Sequence, residues 1–218
     1  ALTIANVVGL ALLAVSAWVL WRGREAPPRA SWRVAWVLTA IAVITVAAGG
    51  RVLELRSRTW QWGDSLAAIR DTPFHNIAVL KQPDQVTIFA NGLWLLTEPD
   101  PATAETAVHP ILLQHPHPEQ VLLLGGGIGG LVEEVLRHPS VKQVDYVEQD
   151  PDLIAFSQGF LSFATQASLD DPRVRIHGRD AGLFLYRASD RFDVVLMSVG
   201  DPINAQMNRF YTEEMFGW

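Results

Sequence analysis

The chain contains no cysteine among its 218 residues. Disulfide bonds are therefore excluded, and so is any zinc site that needs thiolate ligands. Positive charge is not in excess either, because 17 lysines and arginines are outnumbered by 23 aspartates and glutamates, which gives a formal net charge of −6. This composition does not indicate a nucleic-acid partner. No internal repeat or low-complexity tract is visible.

Charged residues are also absent from two stretches, residues 1–21 and 34–50. At 1.5 Å per residue the first is long enough to cross a hydrocarbon core of about 30 Å, and the second is at the short end of that range. The link between them is rich in arginine, and tryptophans lie at the ends next to it: Arg22, Arg24, Arg29, Arg33, Trp18, Trp21, Trp32 and Trp36. This pattern predicts a transmembrane hairpin over residues 1–50. The alternatives are one span plus an interfacial helix, or a signal peptide, which the length of the first stretch disfavours.

Short apolar runs follow the predicted hairpin. Residues 51–71 are interpreted as an interfacial linker, and residues 72–118 as a small antiparallel β region with a helix over residues 104–114. Three runs in this region have the length and composition of strands: residues 76–80, 85–90 and 93–97. The last two are separated by Asn91-Gly92, which predicts a tight hairpin because both turn residues must take positive φ.

From residue 119 onward, strand and helix patterns alternate. The predicted strands are residues 121–124, 143–147, 174–177 and 193–197, and the predicted helices are residues 129–137, 151–161 and 181–187, with one more starting near Arg209. This order indicates βαβ units and a parallel sheet. The predicted fold class is therefore α/β: two transmembrane helices, a small antiparallel β-hairpin region and a partial Rossmann-like domain over residues 119–218. We expect the native polypeptide to continue beyond Trp218, or a partner to cover that edge of the sheet.

A glycine-rich motif lies at the start of this alternation, in VLLLGGGIGG. Gly125, Gly127 and Gly130 fit G-x-G-x-x-G between a predicted strand and a predicted helix, with Ile128 inside the loop, and Glu148 ends the next strand. Glycines allow a tight turn and close approach of the backbone to a ligand, and a carboxylate at the second strand end accepts hydrogen bonds from ribose hydroxyls. The motif predicts a site for a dinucleotide or for the adenosyl group of a sulfonium compound.

Two later carboxylates favour the adenosyl sulfonium. Asp180 follows the third predicted strand, where it could accept a hydrogen bond from the adenine amino group, and Asp201 follows the fourth. These strand ends border the ligand crevice in open α/β sheets. Either aspartate could instead cap a helix, and for Asp180 both roles stay open.

Several motifs in order resemble the spermidine synthase (polyamine aminopropyltransferase) family over residues 72–216: TPFHNIAVL, HPHPEQVLLLGGGIGG, VLRHPSVKQVDYVEQD, DDPRVRIHGRDA, RFDVVLMSVGDP and NRFYTEEMF. With the predicted spans, the resemblance points to a membrane-attached branch. It implies transfer of an aminopropyl group from decarboxylated S-adenosylmethionine to a small polyamine, without a metal. It also implies that Glu148 holds the ribose hydroxyls, that Asp180 holds the adenine amino group, and that the glycine loop passes the sulfonium end.

The chain departs from the family pattern at acidic positions. Ile128 stands where the family usually has the aspartate of GGGDG, and Ser198 stands where DSSDP has its first aspartate; Asp201 remains. Phe74-His75 replaces a usual tyrosine-glutamine. Unpaired desolvated charges cost several kcal/mol, so the loss of two carboxylates argues against polycationic substrates. The catalytic candidates are therefore Asp201 and, at the usual aspartate position, Ser198.

Three hypotheses follow from this pattern. The first is a membrane-anchored transferase of the aminopropyltransferase type. The second is a non-catalytic scaffold or accessory subunit of a membrane complex, or of a homo-oligomer. The third is a methyltransferase that uses S-adenosylmethionine. For all three we predict an integral protein of a bacterial inner membrane, in contact with the lipid bilayer. The globular part is predicted in the cytoplasm, where sulfonium nucleotides are made.

Six other polar residues, four histidines and two glutamates, are predicted to have no role in catalysis. Four histidines lie near prolines without a clustered set of carboxylates, and we interpret them as structural or surface residues: His109, His115, His117 and His138. Glu133 and Glu134 are predicted to form a solvated helix face. No metal site is predicted.

Overall fold

The computed structural model describes residues 56–188, 191–200, 202 and 205–217. The chain divides into two units, Ala1–Asp64 and Ser65–Trp218. Residues 56–62 of the first unit are helical, and a 3-10 turn, Gly63–Ser65, follows them at the boundary between the units. The second unit carries both sheets and every residue discussed below.

An antiparallel sheet opens the second unit. Its strands lie in the order β1-β2-β3-β4: β1 (Leu66–Asp71), β2 (Asn76–Lys81), β3 (Val86–Ala90) and β4 (Leu93–Glu98). The three predicted strands are confirmed. The Asn91-Gly92 hairpin is confirmed too, because the two residues have φ of 54° and 79°. Strand β1 was missed: its sequence, LAAIRD, has a single β-branched residue and no alternation, and it lay in the predicted linker.

A parallel sheet follows, in the order β7-β6-β5-β8. Its strands are β5 (Gln120–Leu124), β6 (Gln143–Glu148), β7 (Val174–Gly178) and β8 (Val194–Met197). All three strand pairs are parallel. This confirms the predicted α/β class and the Rossmann-like sheet, because each of the four predicted strands is present within about one residue of its predicted bounds.

Helices connect and cover the strands. Those described are α1 (Pro101–Leu112), α2 (Leu131–Leu136), α3 (Pro151–Ser157), α4 (Phe163–Leu169), α5 (Ala181–Arg187), α6 (Ala205–Asn208) and α7 (Glu213–Phe216). Helix α2 starts later than predicted because a 3-10 turn, Gly127–Gly129, precedes it and Gly130 takes a φ of 87°. Helix α4 was missed, because the sequence analysis identified no helix between residue 161 and the third strand of the parallel sheet.

The core lies on both faces of the parallel sheet. Alternate residues of β5 enter different apolar clusters, so that Val121 and Leu123 lie on one side while Leu122 and Leu124 lie on the other. The first cluster also contains Ile77, Ile88 and Leu96 from the antiparallel sheet, together with Val108 of α1 and Val132 of α2. The two sheets therefore share one core, which fixes the position of the β1–β2 turn beside the parallel strands.

The prediction of two transmembrane helices must be corrected. Across residues 56–188, 191–200, 202 and 205–217, no helix combines the length and the apolar character needed to cross a membrane. The longest helix whose bounds are given above, α1, has 12 residues, whereas a span needs about 20. The two predicted spans, residues 1–21 and 34–50, lie outside the described residues. The described residues therefore give no support to the predicted integral membrane location or to the predicted contact with a bilayer.

Candidate functional site

The parallel sheet has a topological switch at β5. Strands β6 and β7 lie on one side of β5, and β8 lies on the other. In open α/β sheets, a ligand crevice forms at such a point, outside the carboxyl ends of the strands. Four segments border this crevice: the glycine loop (residues 125–130) and residues 148–150, 179–180 and 198–200. The crevice thus contains most of the residues predicted from sequence.

The glycine loop has a backbone that other residues adopt only with strain. Gly125 and Gly126 have φ of 74° and 72°, in the region that favours glycine. A Cβ atom on Gly125 would lie 2.7 Å from the carbonyl oxygen of Ser198, and one on Gly127 would lie 2.5 Å from the Tyr146 ring. The loop therefore packs its backbone directly against β6 and against the segment after β8, whereas the predicted approach of this backbone to a ligand stays a prediction.

Ile128 lies within the glycine loop, but its side chain belongs to the core. It is 1% exposed and joins the apolar cluster of Leu96, Val132 and Tyr146. This burial gives the isoleucine a structural role, worth about 1.5–3 kcal/mol of hydrophobic stabilisation. A ligand in the crevice can therefore meet the backbone of Ile128, while the side chain is withdrawn from it.

Tyr146 connects the glycine loop to the end of β6. Its hydroxyl donates a hydrogen bond to Oε2 of Glu148 over 3.3 Å, and its ring lies directly against Gly127. Burial raises the pKa of Tyr146 well above its usual value, and the negative charge of Glu148 raises it further. The phenol therefore stays neutral and acts as a fixed donor.

Glu148 is the predicted ribose acceptor. Its Oε1 accepts a hydrogen bond from the N–H of Asp150 over 3.1 Å. Burial raises the pKa of Glu148, whereas the N–H of Asp150, the Tyr146 hydroxyl and the nearby His75 lower it. A carboxylate offers about four acceptor positions, so the two intramolecular donors leave room for ribose hydroxyls.

Sequence reasoning missed three residues beside Glu148. Asp150 is 0% exposed and caps α3 by accepting a hydrogen bond from the N–H of Asp152 over 3.1 Å. Its Oδ2 accepts from the Thr72 hydroxyl over 2.6 Å and lies 2.9 Å from Nδ1 of His75. Thr72 and His75 belong to the β1–β2 turn, so these contacts join the two sheets. Two features of the sequence could have pointed to these residues. His75 stands where the family usually has glutamine, and Asp150 directly precedes Pro151, a pattern typical of a helix N-cap.

Asp180 caps α5, as one of its two predicted roles requires. Its Oδ1 accepts a hydrogen bond from the N–H of Leu183 over 2.9 Å, and its Oδ2 lies 2.7 Å from Nη1 of Arg209. Arg209 also donates from Nη2 to Oε1 of Gln149 over 2.9 Å. A groove of about 300 Å³ beside this ion pair is lined by Gly182, Leu183, Tyr186, Phe210 and Met215. An adenine ring could reach Asp180 from this groove only if Arg209 moved.

Ser198 is exposed at the edge of the crevice. Its N–H donates to the carbonyl oxygen of Leu124 over 2.9 Å, and its side chain lies against Gly126. The next part of this segment is held by Tyr211, whose hydroxyl donates to the carbonyl oxygen of Gly200 over 3.0 Å. Asp201, the other predicted catalytic residue, lies outside the described residues.

Glu134 is not on a solvated helix face, so that prediction was wrong. It is 2% exposed, and its two oxygens lie 3.2 Å from Nη1 of Arg137 and 3.2 Å from Nε2 of His109. Nδ1 of His109 lies 2.8 Å from Nε2 of His138. Helix α2 turns Glu134 toward His109 of α1. The apolar pattern of a helix as short as α2 does not indicate which element packs beside it, so the burial of Glu134 could not be predicted from sequence. In the part of the chain that the structure describes, no group of three or more histidines and carboxylates could hold a metal ion.

The fold and the crevice together define an α/β domain with a Rossmann-like sheet, of the type found in S-adenosylmethionine-dependent transferases. The Spermine/spermidine synthase domain matches residues 101–217, and the chain belongs to this family. The resemblance carried by the sequence motifs is thereby confirmed at the level of the family. The membrane-attached branch of the family is not shown by this match.

Individual relatives agree with the family match. The polyamine aminopropyltransferase of Leptospira interrogans is 30% identical over 217 residues, which cover 96% of this chain and 43% of that protein. Polyamine aminopropyltransferase 1 of Streptomyces coelicolor is 34% identical over 192 residues, covering 84% of this chain and 35% of that protein.

A solved structure is similar as well. The crystal structure of spermidine synthase in complex with the transition state analogue AdoDATO has 29% identity and a TM-score of 0.64, covering 70% of this chain and 52% of that one. The chain spans about half the length of these relatives, or less.

Proposed function

We propose that this chain contains the nucleotide-binding part of a polyamine aminopropyltransferase and binds decarboxylated S-adenosylmethionine. The observation that carries the proposal is Glu148, a largely buried carboxylate at the end of β6, next to the glycine loop and with acceptor capacity left. The names of the relatives, and the transition state analogue AdoDATO in the similar crystal structure, support this ligand class.

Each wall of the crevice takes one part of the ligand in this proposal. Glu148 accepts hydrogen bonds from the ribose hydroxyls, and the backbone of the glycine loop lies along the sulfonium end. The groove beside Asp180 takes the adenine ring. Oδ1 of Asp180 continues to accept the hydrogen bond from the N-terminus of α5. Its Oδ2 accepts a hydrogen bond from the adenine amino group after Arg209 has moved away from it.

The proposed reaction is a displacement at carbon. A neutral amine of the polyamine attacks the aminopropyl carbon that is bound to the sulfonium sulfur. A C–N bond forms, the C–S bond breaks, and methylthioadenosine leaves with the electron pair of that bond. The proton lost by the attacking amine goes to a carboxylate, for which Asp201 is our candidate. The hydroxyl of Ser198 is not a base at neutral pH, so it can only donate or accept a hydrogen bond.

Nucleotide binding without polyamine transfer is the second candidate. It is favoured by two observations: the side chain at position 128 is an isoleucine buried in the core, and position 198 carries a neutral serine. A polycationic donor and acceptor need carboxylates to compensate their charge. An accessory subunit, or a methyltransferase that uses S-adenosylmethionine, would not need those two carboxylates.

Isothermal titration of the chain with methylthioadenosine, decarboxylated S-adenosylmethionine and S-adenosylmethionine tests the proposal. We expect the variant Glu148→Ala to bind methylthioadenosine about 100-fold more weakly, because two hydrogen bonds to a charged acceptor are lost, at about 1.5 kcal/mol each. Asp84→Ala, in the exposed β2–β3 turn, is the matched control and should bind like the parent.

The assignment is wrong if Glu148→Ala binds as well as the parent, or if the parent binds none of the three compounds. Tighter binding of the decarboxylated donor supports aminopropyl transfer, whereas a preference for S-adenosylmethionine supports the methyltransferase.

A further inference from the structure

Arg209 contacts both of the segments that carry the proposed nucleotide acceptors. It opens a 3-10 turn, Arg209–Tyr211, that directly follows α6. Its Nη1 lies 2.7 Å from Oδ2 of Asp180, and its Nη2 donates to Oε1 of Gln149 over 2.9 Å. Gln149 is the residue after Glu148. One guanidinium group therefore joins the end of β6 to the segment after β7, at the groove that Arg209 and Asp180 both line.

The backbone that carries Arg209 is anchored on the core, so rotation of the side chain alone can separate the guanidinium from Asp180. Phe210 is 6% exposed and belongs to the apolar cluster on one face of the parallel sheet. The Tyr211 hydroxyl holds the turn to the carbonyl oxygen of Gly200. The guanidinium carbon of Arg209 lies 4.6 Å from the centroid of the Phe210 ring, and the side chain is 40% exposed. Side chains that reach the solvent change rotamer rapidly.

The contact between Arg209 and Asp180 is an ion pair without the geometry of a hydrogen bond. Oδ2 of Asp180 is a buried atom, and within the described residues it accepts no hydrogen bond. The other oxygen, Oδ1, accepts from the N–H of Leu183. A partly exposed ion pair stabilises a protein only weakly, whereas an aligned hydrogen bond to an ionised acceptor is strong. A neutral N–H donor of correct geometry can therefore take Oδ2 from Arg209.

We propose that Arg209 and the adenine amino group compete for Oδ2 of Asp180, so that Arg209 sets how strongly the crevice prefers adenosyl compounds over 6-oxopurine analogues. The inference rests on the proposed function, because it concerns the adenine acceptor of the same site. The amino group of adenine is a donor that a carboxylate can accept. A 6-oxopurine presents a carbonyl oxygen at the same place, which a carboxylate cannot bind. The competition therefore acts only against a base that carries the amino group.

The decisive variant is Arg209→Met, which keeps an unbranched side chain over the Phe210 ring and removes the positive charge. We expect it to bind methylthioadenosine about 5-fold more tightly than the parent, because the competitor is lost. Methylthioinosine, which has a carbonyl oxygen in place of the amino group, should bind to the variant no more tightly than to the parent. Arg209→Lys, which keeps the charge, and Arg191→Met, which removes an exposed charge elsewhere, should bind methylthioadenosine within about 2-fold of the parent.

A double-mutant cycle locates the competition at Asp180. Asp180→Asn keeps an oxygen for the N–H of Leu183 and removes the negative charge that holds Arg209. In the Asp180→Asn background, Arg209→Met should no longer tighten the binding of methylthioadenosine, because the two substitutions act on one contact. A gain of the same size in both backgrounds would overturn the inference, since Arg209 would then act without Asp180.

Titration calorimetry of these proteins with both compounds gives the dissociation constants. Equal tightening for both compounds would mean that Arg209 merely fills the groove, and weaker binding of methylthioadenosine by Arg209→Met would mean that the arginine supports the base. Either result overturns the inference, while binding that depends on Glu148 leaves the proposed function intact. If neither the parent nor Arg209→Met binds methylthioadenosine, the proposed function fails and the inference fails with it. Arg209→Gln serves in place of Arg209→Met if the methionine variant does not fold, as judged by circular dichroism.

Discussion

At Glu148, the ligand binding that we propose and the stability of the fold oppose each other. In the proposed function the carboxylate is ionised and accepts hydrogen bonds from two ribose hydroxyl groups, yet burial raises its pKa. A carboxyl group with a raised pKa binds its proton more tightly in the folded state than in the unfolded state. It therefore contributes stability that is fully present below the ordinary glutamate pKa, near 4.5, and that is lost as pH rises through the folded value.

The variant Glu148→Gln should remove this pH dependence. We expect the free energy of unfolding of the parent to fall relative to that of the variant as pH rises from 4.5. The fall should amount to about 1.4 kcal/mol for each pH unit between the unfolded and folded pKa values. Urea unfolding at intervals from pH 4 to pH 8 measures the difference. Parallel curves for the two proteins would show that Glu148 titrates alike in both states, contrary to this expectation.

At the scale of elements, the sequence allowed the parallel strands and the Asn91-Gly92 hairpin to be predicted, because apolar runs and turn residues are local signals. Strand β1 gave no such signal, since its pairing with β2 is what makes it a strand. The start of α2 was predicted too early because the conformation of the glycine loop depends on contacts with Ser198 and Tyr146. Those contacts come from strands that are distant in sequence.

Replacing glycines by alanine separates backbone strain from close packing. Gly92→Ala and Gly125→Ala both place a side chain at positive φ, 79° and 74°. A Cβ at Gly92 meets no atom within 4 Å, whereas one at Gly125 meets a backbone carbonyl at 2.7 Å. We expect Gly92→Ala to cost about 1 kcal/mol of stability and Gly125→Ala about 1–2 kcal/mol more.

Denaturant unfolding of both variants measures these costs, and titration with methylthioadenosine measures binding. Only Gly125→Ala should lose affinity. Equal costs in the two variants would mean that the glycine loop can move away from Ser198 without penalty.

At the scale of the whole molecule, contacts between distant segments determine side-chain orientations that could not be predicted from the sequence. The sharp turn at Gly125 and Gly130 and the position of Glu148 at a strand end agree with the motif, whereas the contacts of these residues with a nucleotide stay predictions. The orientation of Ile128 toward the core, and the contact of His75 with Asp150, depend on the packing of one sheet against the other. No periodicity within a single segment contains that information.

Spermidine synthesis from putrescine should be weak or absent in this chain, because positions 128 and 198 lack the usual carboxylates. Ser198→Asp should raise any residual turnover, since position 198 is exposed and can hold a charge. Ile128→Asp should instead cost about 3 kcal/mol or more of stability, because it places a carboxylate in the core. Ile128→Val is its control and should cost about 1 kcal/mol.

Product formation from decarboxylated S-adenosylmethionine and putrescine is followed by chromatography, and stability by thermal unfolding. Robust turnover by the parent would contradict the electrostatic argument. A stable Ile128→Asp variant would contradict the assignment of that side chain to the core.

The contact between Thr72 and Asp150 spans 78 positions of the chain, whereas β2 and β3 pair through a short local turn. Closing a long loop costs more chain entropy than closing a hairpin, and proteins dominated by distant contacts fold more slowly. We therefore expect the antiparallel hairpins to form early, and the Thr72, His75 and Asp150 contacts to form only when the parallel sheet docks. We expect the crevice to be assembled only in the last stage of folding, after the hairpins have formed.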